Sequence, residues 1–255
     1  MGGGDWFWPT EPDPDATIRL FMFPYAGGSA PIFEEWRPLF PADVSMQAVQ
    51  LPGRFNRGSE PRHRDMEPLV EAVAEAFMSE LDHRPYALFG HSMGALLAYR
   101  LAVRLEEETG AGPVLLGAAG WSPEGFTMPS MELVNLPQPE LVDWIVNLGS
   151  LPPAAYAPEV LDLTVPPVRA DLEICAKYLD DGARVSCPIV SYSGRDDPLH
   201  DRSGPGSWAG RTPEFLGNSE FPGGHFFLYD AVLPIAADLT RHLLRAAETA
   251  PAWNF

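Results

Sequence analysis

Ser92 stands in Gly90-His91-Ser92-Met93-Gly94, a G-x-S-x-G pattern. An apolar run, Tyr86-Ala87-Leu88-Phe89, precedes it, and a helical pattern from Ala95 to Glu107 follows. A serine held on a strand-to-helix turn is the arrangement of a nucleophile. The turn must be tight, so glycines on both sides remove Cβ clashes and allow an unusual backbone angle. The Ser92 hydroxyl then projects above the sheet, beside the positive end of the following helix. Because a serine hydroxyl is a poor nucleophile until a base takes its proton, a histidine and an orienting carboxylate are expected further along the chain.

Of the six histidines, His225 in Pro222-Gly223-Gly224-His225-Phe226-Phe227 has the right placement, after a flexible turn and before an apolar helix over Leu228 to Leu244. His200 is its competitor. His63, His83 and His242 lie in charged segments, and His91 is too close to Ser92 along the chain to turn back onto it. The carboxylate is expected after the strand ending at Tyr192, in Ser193-Gly194-Arg195-Asp196-Asp197-Pro198-Leu199. Asp197 is favoured over Asp196, since two adjacent aspartates face different ways and one can hold the histidine's tautomer; either could instead cap the turn. The order Ser92…Asp197…His225 is that of α/β-hydrolases. Two donors are needed for the oxyanion. One is the Met93 N–H, and the other comes from the turn Pro24-Tyr25-Ala26-Gly27-Gly28, with Ala26 first choice and Gly27 next.

Elements able to position these residues alternate along the chain. Strands are predicted at Ile18–Phe23, Val44–Leu51, Tyr86–Phe89, Val114–Ala119 and Pro188–Tyr192, and helices at Ile32–Phe40, Pro68–Leu81 and Ala95–Glu107. Alternating strands and helices imply an α/β fold with a mostly parallel central sheet flanked by helices. The alternation breaks between Ser122 and Arg184, where prolines and short helical patterns such as Glu140–Val146 and Asp171–Leu179 replace strands. We expect core residues 1–121, with a loose arm over 1–15, a helical lid insertion at 122–184 and the rest of the core at 185–255. A lid fits binding sites at the carboxyl edge of open α/β sheets.

Composition limits the function classes. Seventeen basic and 35 acidic residues give a formal charge of −18, which argues against nucleic acid or anionic membrane as a partner. The cysteines, Cys175 and Cys187, support neither a disulfide scaffold nor a cysteine zinc site. No run is long and apolar enough to span a membrane, and the N-terminus lacks the pattern of a secretory signal, so a cytoplasmic protein is expected.

Six ordered motifs carry a resemblance over residues 18–245. They are Phe23-Pro24-Tyr25-Ala26-Gly27-Gly28-Ser29, Leu51-Pro52-Gly53-Arg54, Gly90-His91-Ser92-Met93-Gly94, Leu148-Gly149-Ser150-Leu151-Pro152, Arg169-Ala170-Asp171 and Gly223-Gly224-His225-Phe226. With them the chain resembles the type II thioesterases of polyketide and nonribosomal peptide synthesis. The resemblance implies an α/β-hydrolase fold with a helical lid and no cofactor. It implies hydrolysis of acyl groups from the phosphopantetheine arm of acyl or peptidyl carrier proteins, which removes stalled or aberrant chains in antibiotic biosynthesis. Ser92, Asp197 and His225 would form the triad, and Ala26 and Met93 the oxyanion hole. Competing readings are a general carboxylesterase or lipase, a chain-releasing thioesterase, and a non-catalytic binding protein that kept the fold.

Two further groups follow from that reading. Met128, Met131, Leu136, Trp144 and Leu148 are candidates to line an acyl chamber under the lid. Carrier proteins are usually acidic, so docking on this acidic chain needs a local basic surface; the densest in sequence is Arg54, Arg57, Arg62 and Arg64. The alternative is a solvated loop balanced by Glu60, Asp65 and Glu67.

Overall fold

A computed structural model describes residues 6–149 and 158–249. Seven strands form one sheet in the order β1-β3-β2-β4-β5-β6-β7. They are β1 Phe7–Trp8, β2 Ile18–Phe23, β3 Val44–Val49, β4 Tyr86–His91, β5 Leu115–Ala119, β6 Ile189–Gly194 and β7 Phe215–Phe221. β1 pairs antiparallel with β3; every other pair is parallel. The expected α/β-hydrolase architecture is present. Helices α1 Met66–Glu80, α2 Met93–Thr109 and α6 Val232–Thr249 belong to the flanking layers. Between β5 and β6 the chain forms α3 Met131–Val134, α4 Gln138–Asn147 and α5 Pro158–Lys177.

The central strands are apolar on both faces because helices cover both. Along β2, Leu20 and Met22 pack with Phe33, Trp36 and Leu239 of one layer. Phe21 and Phe23 pack with Val73, Phe77 and Leu97 of the other. Arg19 interrupts this run and is buried with partners: its Nη2 donates to Gln47 Oε1 at 2.5 Å and Glu80 Oε1 at 2.7 Å.

The structure departs from the sequence reading in four elements. Phe7–Trp8 of the expected loose arm adds a strand to the sheet edge, while residues 1–5 lie outside the described residues. The helix expected over Ile32–Phe40 is present but starts earlier, at Ala30–Leu39, and is of the 3-10 type; its buried residues Ala30, Phe33 and Trp36 recur every third position, as three residues per turn requires. β7 went unread because Gly217-Asn218 in its middle looks like a turn. α5 runs unbroken through Pro166 and Pro167. Those prolines deprive the carbonyls of Asp162 and Leu163 of donors, and both residues are exposed, so water can serve them.

Two close approaches place β4 and α2. A Cβ on Gly90 would lie 2.1 Å from the Gly94 oxygen, and one on Gly94 would lie 2.2 Å from the Phe23 oxygen. Neither glycine has positive φ, so they serve backbone proximity; the unusual angle falls elsewhere. Gly90→Ala and Gly94→Ala are each expected to lower Tm by about 5–10 °C, as overpacking of about 1–3 kcal/mol does in a domain of this size. Gly206→Ala, with nothing within 4 Å of an added Cβ, is the control and is expected to melt within about 2 °C of the native protein. Scanning calorimetry of the three variants checks this.

Candidate active site

Ser92 bears the unusual angle, with φ 55 and ψ −122. A non-glycine residue rarely occupies that region, and here β4, α2 and the bond from Ser92 N–H to Ala119 O at 2.8 Å hold it there. The first helical residue is Met93, so the Met93 N–H belongs to the unpaired first turn of α2.

The loops after β6 and β7 bring Asp197 and His225 to Ser92. His225 Nδ1 lies 2.8 Å from Asp197 Oδ2, and its Nε2 lies 2.8 Å from Ser92 Oγ. An ionised carboxylate only accepts, so Nδ1–H donates to it and Nε2 is left to accept the serine proton. Asp196 is exposed and its N–H bonds to Gly223 O, away from this line of groups. Burial would raise the Asp197 carboxyl. The contacts from His200 and His225, the charge of His225 and the Leu199 N–H at 2.9 Å outweigh it and hold the acid well below its usual range. His200 sits beside the aspartate, Nδ1 to Oδ2 at 3.4 Å, with Nε2 3.1 Å from Ser122 Oγ. It flanks Asp197, and among the described residues its ring shows no bond to Ser92.

The backbone of His225 is held from two directions. Its N–H donates to Leu148 O at 2.8 Å. Its carbonyl accepts from Nε2–H of His91 at 2.8 Å. His91, set aside in the sequence because it cannot reach Ser92, therefore supports the histidine that does. It is fully buried, and burial, with His225 nearby, pushes its pKa down to about 3.

In the turn after β2, Gly27 N–H donates to Asp171 Oδ2 at 2.7 Å and Gly28 N–H to Tyr25 O at 2.8 Å. Ala26 N–H has no acceptor among the described residues, and Ala26 and Met93 both line the cavity at Ser92. Asp171 also forms a bidentate pair with Arg54, at 2.5 and 2.8 Å. The sequence offers Asp171 only as a member of a motif, and Arg54 as a motif member and a candidate of the basic surface.

A cavity of about 160 Å³ opens at Ser92 and His225. Apart from these two, the turn and Thr164, its wall is apolar, including Trp121, Phe126, Ile145, Leu161 and Val165. Trp144 and Leu148 line it as expected. Three other candidates do not. Met128 packs on the main core, Leu136 packs within the cluster of α3–α5, and Met131 is exposed. Part of the Leu148–Pro152 motif, Ser150 to Pro152, lies outside the described residues.

The expected basic surface also needs correction. Arg54 is buried against Asp171, and Arg57 is buried with Nη1 donating to Gln50 O at 2.9 Å and its guanidinium 3.9 Å over the Trp6 ring. Only Arg62 and Arg64 are exposed, and Arg64 pairs with Glu173 at 2.5 Å. The acceptor of Arg54, Asp171, comes from a distant segment, whereas Arg57 is satisfied within its own loop by Glu60 and Gln50 O. Among the described residues no three His, Cys, Asp or Glu side chains group to hold a metal ion, and no helix is long and apolar enough to cross a membrane.

A parallel sheet bearing a serine on a strained strand–helix turn, with histidine and aspartate on later loops, defines an α/β-hydrolase. The chain belongs to the thioesterase domain family, whose profile covers residues 18–243. It is 32% identical over 228 residues to the gramicidin S biosynthesis protein GrsT of Aneurinibacillus migulanus, 89% of each chain. It is 30% identical over 246 residues to thioesterase PikA5 of Streptomyces venezuelae, covering 96% of this chain and 87% of that one. Among solved structures, the RedJ thioesterase of the prodiginine pathway in Streptomyces coelicolor superposes with a TM-score of 0.82 at 33% identity, over 91% and 92% of the two chains. The resemblance to type II thioesterases therefore stands, and the protein is a thioesterase.

The buried His91 makes stability depend on pH. Between its ordinary value near 6.5 and about 3, the unfolded chain binds a proton that the folded one refuses, so stability falls as pH falls through this window. From pH 7 to pH 5 the loss from this group is expected to be about 2 kcal/mol. The Asp197 contribution is lost only below the ordinary aspartate range, outside that interval. Denaturant unfolding at pH 7, 6 and 5 should show a shallower decline in His91→Gln than in the native protein. Parallel slopes would show that His91 is not the group responsible.

Proposed function

We propose that the protein hydrolyses acyl groups from the phosphopantetheine arm of acyl or peptidyl carrier proteins, clearing stalled or aberrant chains in secondary-metabolite biosynthesis. The observation that carries the reading is the Ser92 Oγ–His225 Nε2 contact of 2.8 Å, on a strained turn, at the mouth of an apolar cavity. Ser92 Oγ attacks the thioester carbonyl while its proton passes to His225 Nε2. The C–S bond breaks, and the thiol leaves with that proton. Water then attacks the acyl-serine, gives a proton to His225, and the acid departs as Ser92 recovers its own. Asp197 keeps His225 in the accepting tautomer and balances the imidazolium. Ala26 N–H and Met93 N–H supply the oxyanion donors.

Cavity size supports clearing rather than release of a finished product. An apolar cavity of about 150 Å³ holds benzene, so about 160 Å³ suits an acyl group of roughly six non-hydrogen atoms. The helices of 122–184 act as the cover of this cavity, with Trp144 and Leu148 in its wall. The names of the relatives, a gramicidin S biosynthesis protein and a prodiginine-pathway thioesterase, agree with this setting.

A panel of acyl-loaded carrier domains, read by mass of the released acids, tests the reading. Short apolar acyl-carrier thioesters are expected to turn over faster than matched oxyesters; the reverse order would make the protein a carboxylesterase. Ser92→Ala and Asp197→Asn should each lower kcat by about 10⁴-fold with the fold intact. Asp196→Asn should stay within about threefold, since its side chain is exposed and off the site. Leu161→Trp, which fills the cavity, should shift preference toward the shortest chains; an unchanged profile would remove that wall from the acyl path.

A further inference from the structure

We infer that Asp171, held by Arg54, is a positioning residue for the oxyanion turn. It takes the Gly27 N–H and so leaves the Ala26 N–H to face the reacting carbonyl. The inference rests on the proposed acyl-transfer reading and extends it to groups outside the triad.

Asp171 lies on α5 and Arg54 just after β3, and both side chains are nearly inaccessible, at 2% and 6% exposure. Their two hydrogen bonds fix the plane of the carboxylate. Once that plane is fixed, Oδ2 receives the Gly27 N–H at 2.7 Å. Arg54 Nη1 also reaches Gly28 O at 3.3 Å, so the pair grips the turn by a donor and an acceptor on successive residues. Close packing leaves the turn no other position. Gly27 has φ +80, and an added Cβ would lie 2.1 Å from Val168 Cγ2 of the same helix. Val168 and Leu172 line the cavity one turn apart, so the helical face that meets the acyl group also carries the carboxylate that sets the turn.

An oxyanion donor works only if aimed before the charge develops, because reorientation during the step would cost the rate it provides. A free N–H at Gly27 would compete with Ala26 for the same oxygen from a different direction. Capping it with a carboxylate removes that competition and fixes the Ala26–Gly27 peptide plane, while the Gly28 N–H bond to Tyr25 O holds the adjoining plane that carries the Ala26 N–H.

The experiment separates this role from fold stability by changing both charges together, so that no unpaired buried ion remains. Arg54→Met with Asp171→Asn keeps an acceptor oxygen for Gly27; Arg54→Met with Asp171→Leu removes it. Both pairs are compared with the native enzyme for kcat and KM on an acyl thioester, affinity for an alkyl boronic acid, and melting temperature. The boronate forms a tetrahedral anion on Ser92 and reads the oxyanion site even if the natural substrate is not a carrier thioester. Expected for the Leu pair is a 10- to 100-fold loss in kcat, KM within threefold, and boronate affinity weakened by a similar factor. The Asn pair, which keeps the acceptor but loses the Arg54 grip, should fall between the native enzyme and the Leu pair, at least fivefold above the latter in kcat and boronate affinity. Equal behaviour of the two pairs, with only melting affected, would overturn the inference. Failure of the native enzyme on carrier thioesters, with boronate binding still dependent on the acceptor, would instead overturn the substrate reading and leave the positioning role standing. A readout without variants covers a Leu pair that does not fold. Hydrogen exchange of the native Gly27 amide should be at least 100-fold slower than that of an unprotected amide, and unprotected exchange would overturn the inference.

Discussion

The close approach of Gly94 to the Phe23 carbonyl is the constraint on which the site depends. It lets the first turn of α2 rest against the end of β2, so the backbone between β4 and α2 must reverse within Ser92. A residue at φ 55 costs about 1–3 kcal/mol and persists only where its surroundings over-determine it. Here the surroundings are strand pairing on both sides of β4, the Ser92 N–H bond to Ala119, and α2 packed on the sheet. From that point the remaining geometry follows. The end of β2 leads into the turn that holds Ala26 and Gly27, α2 starts at Met93, and the loops after β6 and β7 open onto the same edge.

Polar groups buried at this edge are arranged so that each has one state available. His91 is neutral because burial denies it a second proton, and its Nε2–H must face the His225 carbonyl, since a carbonyl only accepts. Asp197 is ionised because its neighbours outweigh the penalty of burial. That charge fixes the His225 tautomer, and the tautomer leaves Nε2 open toward Ser92. Asp197 therefore acts through direction as much as through charge: two histidines stand on it, and only one continues to the serine.

Legibility in the sequence tracks distance along the chain. The nucleophile turn was readable because its residues are contiguous and its strand and helix flank it directly. Ser92, Asp197 and His225 meet in the structure in the order the loops predicted, and the choice between Asp196 and Asp197 is one of loop register, visible once Asp196 N–H is seen on Gly223. The Arg54–Asp171 contact spans 117 positions, so no local pattern could pair them, and Arg54 read instead as part of a basic surface. α5 was hidden for a different reason. Pro166-Pro167 breaks a helix by propensity, but tertiary packing of Val165, Val168 and Leu172 outweighs a local penalty of about 3 kcal/mol per proline. The helix at Ala30–Leu39 was legible but its 3-10 type was not, since three- and four-residue spacings blur over ten residues.

The segment between β5 and β6 reaches both His225 and the turn after β2. Leu148 O takes the His225 N–H, and Asp171 takes the Gly27 N–H. A segment that only covered the cavity would need apolar contacts alone, as Trp144 and Leu161 make. Hydrogen bonds to His225 and to the turn after β2 demand more, because a shift of either contact moves a residue at the Ser92 site. A buried ion pair such as Arg54–Asp171 is weak evidence for stability, since well-packed apolar residues of similar volume often do as well or better by about 1–4 kcal/mol. Apolar residues cannot replace it in accepting a hydrogen bond along a fixed direction. The pair is therefore better understood through the hydrogen bond it directs to Gly27 than through any gain in folding energy, and that bond ties α5 to the turn after β2.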